Sequence, residues 1–253
     1  MAAKKEMNPL GTDGFEFVEF TAPDAKGIKS LHALFELLGF TAVARHRSKD
    51  VTLFRQGDIN FLVNGTPYSH FHQFAMTHGP AACAMGWRVK DAVKAYEQAV
   101  SQGAVPFDSK PGFMELRLPA VYGIGNSVLY FVDRYNERSI YDVDFKFFDK
   151  ANPKPRGVGL EILDHLTHNV KRGNMDLWSG FYERIANFNP LGRRSSRRLR
   201  RPRPAPVVPL RPLRRGDERT QAAQSPAGAG GREPAPNRQH RQLRDRVRLE
   251  RRP

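Results

Sequence analysis

The sequence has only one cysteine, Cys83, which excludes an internal disulfide framework and fits a reducing compartment. In an apolar stretch such a cysteine reads as a packed side chain. Apolar runs are short, and none approaches the roughly 18–20 residues that a membrane span needs. Two lysines near the start are not followed by the apolar core of a secretory leader, so the folded part is expected to be soluble and cytoplasmic. Phosphate-cradling spacings are missing too: Gly112, Gly123 and Gly125 fit neither the phosphate-loop nor the dinucleotide pattern. With no serine-centred nucleophile elbow either, metal chemistry is the leading enzymatic class.

A second absence divides the chain. Residues 189–253 contain no Phe, Tyr, Trp, Met, Ile or Lys, yet hold 19 Arg, ten Pro and five acidic residues. Their net charge of +14 accounts for nearly all of the formal +15 of the whole chain. The basic balance therefore says nothing about partners of residues 1–188. With so many prolines and so little apolar area to offset backbone ordering, 189–253 is expected to be disordered.

The remainder reads as alternating strands and helices. Residues 1–14 form a loose arm, and Phe15–Thr21 sets Phe15, Phe17, Val18 and Phe20 around Glu16 and Glu19 as a strand. Ile28–Leu38 has helical apolar spacing and ends at Gly39. Thr41–His46, Val51–Gln56 and Ile59–Asn64 follow as three strands, completing a βαβββ unit. Thr66–Pro80 is expected to be a connecting loop. His70 and His72 could share one face of an extended segment and bind a metal, but His70, His72 and His78 lack a nearby carboxylate and read more readily as exposed or hydrogen-bonded. Ala81–Val89 is a strand and Lys90–Gln102 a helix with Ala92, Val93, Tyr96 and Val100 on its apolar side. Phe113–Leu118 and Ser127–Tyr135 supply further strands, so a strand–helix–strand–strand order recurs, read as a second βαβββ unit. Residues 136–155 are a connector in which DVDFKFFD is a short extended or helical piece.

Glu161–Val170 alternates as a strand would, with Leu163, His165 and Thr167 on one face and Ile162, Asp164, Leu166 and His168 on the other. His165 and His168 then point to opposite sides. After Gly173, Leu177, Trp178, Phe181, Tyr182 and Ile185 trace one apolar face of a helix. Seen alone, a histidine in a half-buried strand is more often a hydrogen-bonded structural residue than a ligand.

The runs LDHLTHNV, FEFVEFTAP and MTHGPAACAMGWRVKDAVKAYEQAVSQGA, within a match of about Met7 to Phe188, closely resemble bacterial 4-hydroxyphenylpyruvate dioxygenases. The resemblance implies an α+β fold of paired βαβββ vicinal-oxygen-chelate units forming a half-barrel mixed sheet. On this view 15–150 is an N-terminal domain of two units, and 151–188 is a linker plus the first strand and helix of a catalytic domain. In that family Fe(II), one ion per subunit, is held by two histidines and a glutamate, and the match carries the first of these onto His165. A 2-oxo acid and O2 are the reactants, homogentisate and CO2 the products, and homo-oligomers are common. Hydroxymandelate synthase shares the fold, iron site and substrate and is the nearest alternative.

The second histidine and the glutamate should follow residue 189. His240 in RQHRQ and Glu250 in RLERRP lack the apolar strand context of those ligands. Arg, Pro, Ala and Gly are what GC-rich codons specify in a wrong reading frame, so a frameshifted C-terminus competes with a genuine polyanion-binding arm. The arm has no aromatic side chains for base stacking, which limits it to non-specific phosphate contacts. A non-catalytic vicinal-oxygen-chelate binding module carrying such an arm is the reading from another class. The chain as written is expected not to hold iron stably, and the helix after Gly173, without the sheet it should cover, is expected to expose its apolar face and promote aggregation.

Overall fold

The computed structural model describes residues 7–188 and the backbone of Arg246–Arg248. The first unit runs β1 (Thr12–Thr21), α1 (Ala25–Leu37), β2 (Thr41–His46), β3 (Val51–Gln56) and β4 (Ile59–Asn64). After α2 (His70–His78), the second runs β5 (Ala81–Val89), α3 (Ala92–Ser101), β6 (Ala120–Tyr122) and β7 (Val128–Val132). α4 (Ile140–Asp144) and β8 (Phe145–Phe147) follow, then β9 (Thr167–Asn169), α5 (Met175–Ala186) and β10 (Arg246–Arg248).

Eight strands form one mixed sheet in the order β6-β7-β5-β1-β4-β3-β2-β8. Each unit starts with a strand that pairs in parallel with its last, β1 with β4 and β5 with β7, and the two first strands pair antiparallel with each other. Half of the sheet thus repeats the other about the β1–β5 seam. The strand that would match β2 in the second unit is reduced to a single bridge between Pro106 and Val121.

The two faces of the sheet are covered differently. α1 is capped by Asp24, which accepts from the Gly27 amide at 2.7 Å, and it buries Phe35 among Phe40, Phe54 and Phe61. α3 is capped by Asp91 and presents Ala92, Ala95 and Ala99 to Trp87, Val89, Leu129 and Phe131. Its buried stripe is therefore one of alanines, and Val93, expected inside, is 57% exposed. The opposite, concave face collects Phe17, Leu53, Leu62, Val128 and Tyr130 beneath Ile140 and Tyr141.

Several sequence expectations are corrected. Strand β1 begins at Thr12, and Leu10 is buried in the core, so the loose arm ends earlier than residue 14. The expected loop at 66–80 contains α2, because Ser69 caps it by accepting from the His72 amide and Gly79, at φ 75°, ends it. Phe113–Leu118 is not a strand: the Glu115 carboxylate accepts from the Gly112 amide, closing a turn that leaves Phe113 96% exposed. Of Glu161–Val170 only Thr167–Asn169 is extended and paired. Upstream, the chain is held to the β3–β4 turn by Asp58 N–H donating to Glu161 O at 2.7 Å and by Gln56 Oε1 accepting from the Val158 amide. The tail expected to be disordered lies outside the described residues, except that Arg246–Arg248 pairs antiparallel with β9.

The largest correction concerns α5. Its face of Phe181, Tyr182, Ile185 and Ala186 is buried against α3 and the outer side of β5 and β7, with Tyr182 6.0 Å from the Trp87 ring. The helix expected to lack a partner closes the core of the second unit, which removes the stated ground for aggregation. Ile185→Ala should therefore destabilise the chain by about 2–5 kcal/mol in denaturant unfolding, the usual cost of a large-to-small change in a closed core. A loss below about 0.5 kcal/mol, typical of a surface position, would mean that α5 does not close it.

Candidate functional site

The histidine on which the metal reading rests lies in an irregular segment. His165 is partly exposed, and its Nδ1 donates to Asp164 Oδ2 at 2.7 Å, which leaves Nε2 as the available ligand atom. His168, three residues on, meets the Tyr182 ring edge-on at 5.8 Å, and burial lowers its pKa. With Leu166, Thr167 and Asn169 it lines a cavity of about 330 Å³ beside Phe74 and His78, which His165 does not line. Among the described residues no three His, Cys, Asp or Glu side chains lie together as a metal site.

The other candidate histidines are held by backbone carbonyls. Nε2 of His70 donates to Asn126 O at 2.9 Å, that of His72 to Pro23 O at 3.2 Å, and that of His78 to Gly125 O at 3.0 Å. On α2, His70 and His72 sit two residues apart and so diverge, and their bonds tie the helix to different parts of the molecule. The structural reading of these three holds. Cys83 is fully buried, donates to Glu19 O, and has its thiol pushed up by burial, which leaves it unreactive.

A larger cavity, of about 700 Å³, opens on the concave face. Its floor comes from alternate residues of neighbouring strands: Phe17 and Glu19 from β1, Leu62 and Asn64 from β4, Tyr130 from β7. α2 contributes His70 and Phe71, the 106–111 loop contributes Phe107, and α4 and β8 contribute Ile140 and Phe145. Lys49 at the rim is bonded to Glu115 at 2.6 Å. Bonds from Lys49, Ser48 and the Gly112 amide outweigh desolvation and hold Glu115 down at about 2. His46 accepts from the Ser48 and Lys49 amides through Nδ1, and burial, reinforced by the Lys49 charge, lowers it to about 4, so it is neutral.

Glu19 is the group that sequence reasoning missed. The strand pattern set Glu16 and Glu19 as polar punctuation, yet they are only 3% and 5% exposed. Glu16 is paired with Arg88 at 2.5 Å. Glu19 has no ion-pair partner among the described residues; its Oε1 accepts from Asn64 Nδ2 at 2.6 Å. Asn64 is fixed in turn because its Oδ1 accepts from the Thr66 amide. The usable signal was the spacing Phe17-x-Glu19, which puts the carboxylate on the same inward face as a core ring.

Burial pushes the Glu19 carboxyl up to about 7, against the Asn64 hydrogen bond and the Lys49 charge, which favour ionisation. A folded-state pKa above the unfolded one means that the folded state binds the proton more tightly. Its contribution to stability is thus greatest at acid pH and is lost as the pH rises from the unfolded value of 4.5 to about 7. Glu19→Gln should remove this loss. The variant should gain on the wild type across that window, by roughly 3 kcal/mol in total, in urea unfolding at a series of pH values. A stability difference that stays constant over the window would contradict a buried, titrating Glu19.

Comparison with known proteins agrees with this architecture. The family model described as hydroxyphenylpyruvate dioxygenase, HPPD, N-terminal, matches residues 7–146. A 4-hydroxyphenylpyruvate dioxygenase of Pseudomonas aeruginosa is 59% identical over 191 residues, covering 76% of this chain and 54% of that protein. Hemolysin VllY of Vibrio vulnificus is 59% identical over 187 residues, 73% of this chain and 52% of its own. A solved xylose isomerase-like TIM barrel/4-hydroxyphenylpyruvate dioxygenase fusion protein superposes with a TM-score of 0.63 at 34% identity, over 75% of this chain and 30% of that one. The chain spans about half the length of the curated relatives it matches. With a βαβββ unit joined to a shortened repeat of itself and a family match over more than half of its residues, the chain belongs to the hydroxyphenylpyruvate dioxygenase family.

Proposed function

We propose that the chain represents a 4-hydroxyphenylpyruvate dioxygenase, which converts 4-hydroxyphenylpyruvate and O2 to homogentisate and CO2 in tyrosine breakdown. His165 is the one iron ligand among its described residues. The observation that carries this reading is the 59% identity to the Pseudomonas aeruginosa enzyme over 191 residues. Residues 7–150 are the domain without ligands, and 151–188 open the half that holds the metal. The hydrogen bond from His165 Nδ1 to Asp164 supports a ligand role, since a carboxylate on one ring nitrogen fixes the tautomer and makes the other more basic.

Ferrous iron in this type of enzyme needs two imidazoles and a carboxylate on one face, with the opposite face open to reactants. His165 offers one imidazole and Asp164 is spent on it, so the described residues do not fit the ion. The arginine-rich text of 189–253 is best accounted for by a shift of reading frame, and the polypeptide as written has no dioxygenase activity.

Two measurements test this. The purified 28.7 kDa chain, incubated with Fe(II), ascorbate, 4-hydroxyphenylpyruvate and oxygen, should release no homogentisate on chromatography; homogentisate formation would contradict the reading. Resequencing downstream of the Phe188 codon should uncover a frame that encodes the missing histidine and glutamate on apolar strands. The product of that frame should be active, and His165→Ala within it should reduce turnover to background. Retained turnover would remove His165 from the metal site.

A further inference from the structure

The concave cavity lies in the half of the molecule to which the dioxygenase reading assigns no chemistry, and it has the make-up of a ligand site. Its volume of about 700 Å³ falls within the range of small-molecule pockets, which are typically apolar with a few fixed polar groups. The polar groups here converge at the floor. Glu19, held through Oε1 by Asn64, has no other donor to Oε2 among the described residues. Thr66, whose amide donates to the same Asn64, also lines the cavity, and its Oγ1 is buried without a hydrogen-bond partner.

The Lys49 charge acts on Glu19, but no cation among the described residues forms an ion pair with it. Lys49 is committed to Glu115, and Lys110 is exposed on the 106–111 loop. Asp144 accepts from the Leu116 amide, and Asp108 lies on the exposed loop near Arg117. His46 and His70 each have one nitrogen bonded to the backbone, and burial lowers the pKa of both, which works against a positive charge on either. A carboxylate taken out of water without a cation is costly, and a cationic ligand would offset that cost.

The walls favour a cation as well. Phe17 and Tyr130 stand with ring centroids 5.7 Å apart, Phe107 lies 6.3 Å from Tyr130, and Phe107 meets Tyr122 edge-on at 5.3 Å. Aromatic faces around a buried carboxylate attract organic ammonium groups through the ring quadrupole, while the same faces pack an apolar body. Tyr68 and Lys110, at the mouth, both hold positive φ, of 56° and 39°, a conformation that non-glycine residues seldom adopt and that concentrates at functional sites.

We propose that the concave cavity of the N-terminal half-barrel binds a small aryl-alkyl ammonium compound, whose cation pairs with Glu19 and hydrogen-bonds Thr66 Oγ1 while its ring packs among Phe17, Phe107 and Tyr130. The site is separate from His165 and needs no metal. It differs in charge preference from the 2-oxo acid of the dioxygenase reading, so the two stand or fall independently.

The test uses the full chain in EDTA at about pH 8, where Glu19 is ionised, with phenethylamine as the probe in isothermal titration calorimetry. Phenethylammonium should bind at one site, and 3-phenylpropionate, of similar shape and opposite charge, should bind at least about tenfold more weakly. Glu19→Gln keeps an acceptor for Asn64 and should weaken the amine at least about tenfold. Leu118→Trp, which fills the cavity from its wall without touching the carboxylate, should abolish binding. No binding of phenethylammonium to the wild type, equal affinity in the Glu19 variant, or a preference for 3-phenylpropionate would each overturn the proposal.

Discussion

The antiparallel pairing of β1 with β5 is the constraint on which the rest of the molecule depends. It joins the βαβββ unit and its shortened repeat into one sheet, and its register places Phe17 opposite Gly86. A Cβ at Gly86 would lie 2.6 Å from the Phe17 ring, so the bare backbone there is what lets the ring lie across the seam. Phe17 then forms part of the concave floor, and Glu19, two residues on, follows it to the same face. Irregular pairing between Phe15 and Phe17 divides the strand, so that Phe15 serves the outer core and Phe17 the inner one.

The two faces of that sheet have different functions. The outer face is fully committed to packing, under α1 on one unit and under α3 and α5 on the other. The inner face has no such helix, and α2, α4 and the 106–111 loop surround a hollow instead of filling it. A buried acid survives in the hollow because Asn64 and the rings around it are fixed by the strands that carry them. Glu16, one turn of the pleat away, shows the contrast: it is as deeply buried but is neutralised by Arg88.

Much of this could be read in the sequence where pattern and burial agree. Strands β2, β3, β4 and β5 fall where alternation placed them, since each has a partner on both sides or a tight turn to fix it. Failures arose where tertiary context decides. α2 lies where a connecting loop is expected, and its local signals are the Ser69 cap and the Gly79 stop. Residues 161–166 alternate as a strand should, but an extended segment becomes a strand only when a neighbour pairs with its backbone, and here the Asp58 amide binds the Glu161 carbonyl while Gln56 takes the Val158 and Leu160 amides just upstream. The apolar face of α5 was legible, whereas its partner was not, because nothing in a one-dimensional pattern says which sheet a helix will cover. Glu19 is buried because the inner face of β1 is covered from above, which the alternation along one strand does not show.

His165 illustrates how a motif and a site differ. The motif gives one imidazole oriented by one carboxylate, and a ferrous centre needs two more ligands from elsewhere in the fold. The described residues form a sheet that is complete as a packed unit, and they bring no three His, Cys, Asp or Glu side chains together. The most direct test of that account is anaerobic titration of the purified 253-residue chain with Fe(II), followed by calorimetry and equilibrium dialysis. The account predicts no stoichiometric, saturable iron, with wild type and His165→Ala alike. One tightly held Fe(II) per chain, lost on that substitution, would contradict it and would mean that the chain as written assembles its metal centre.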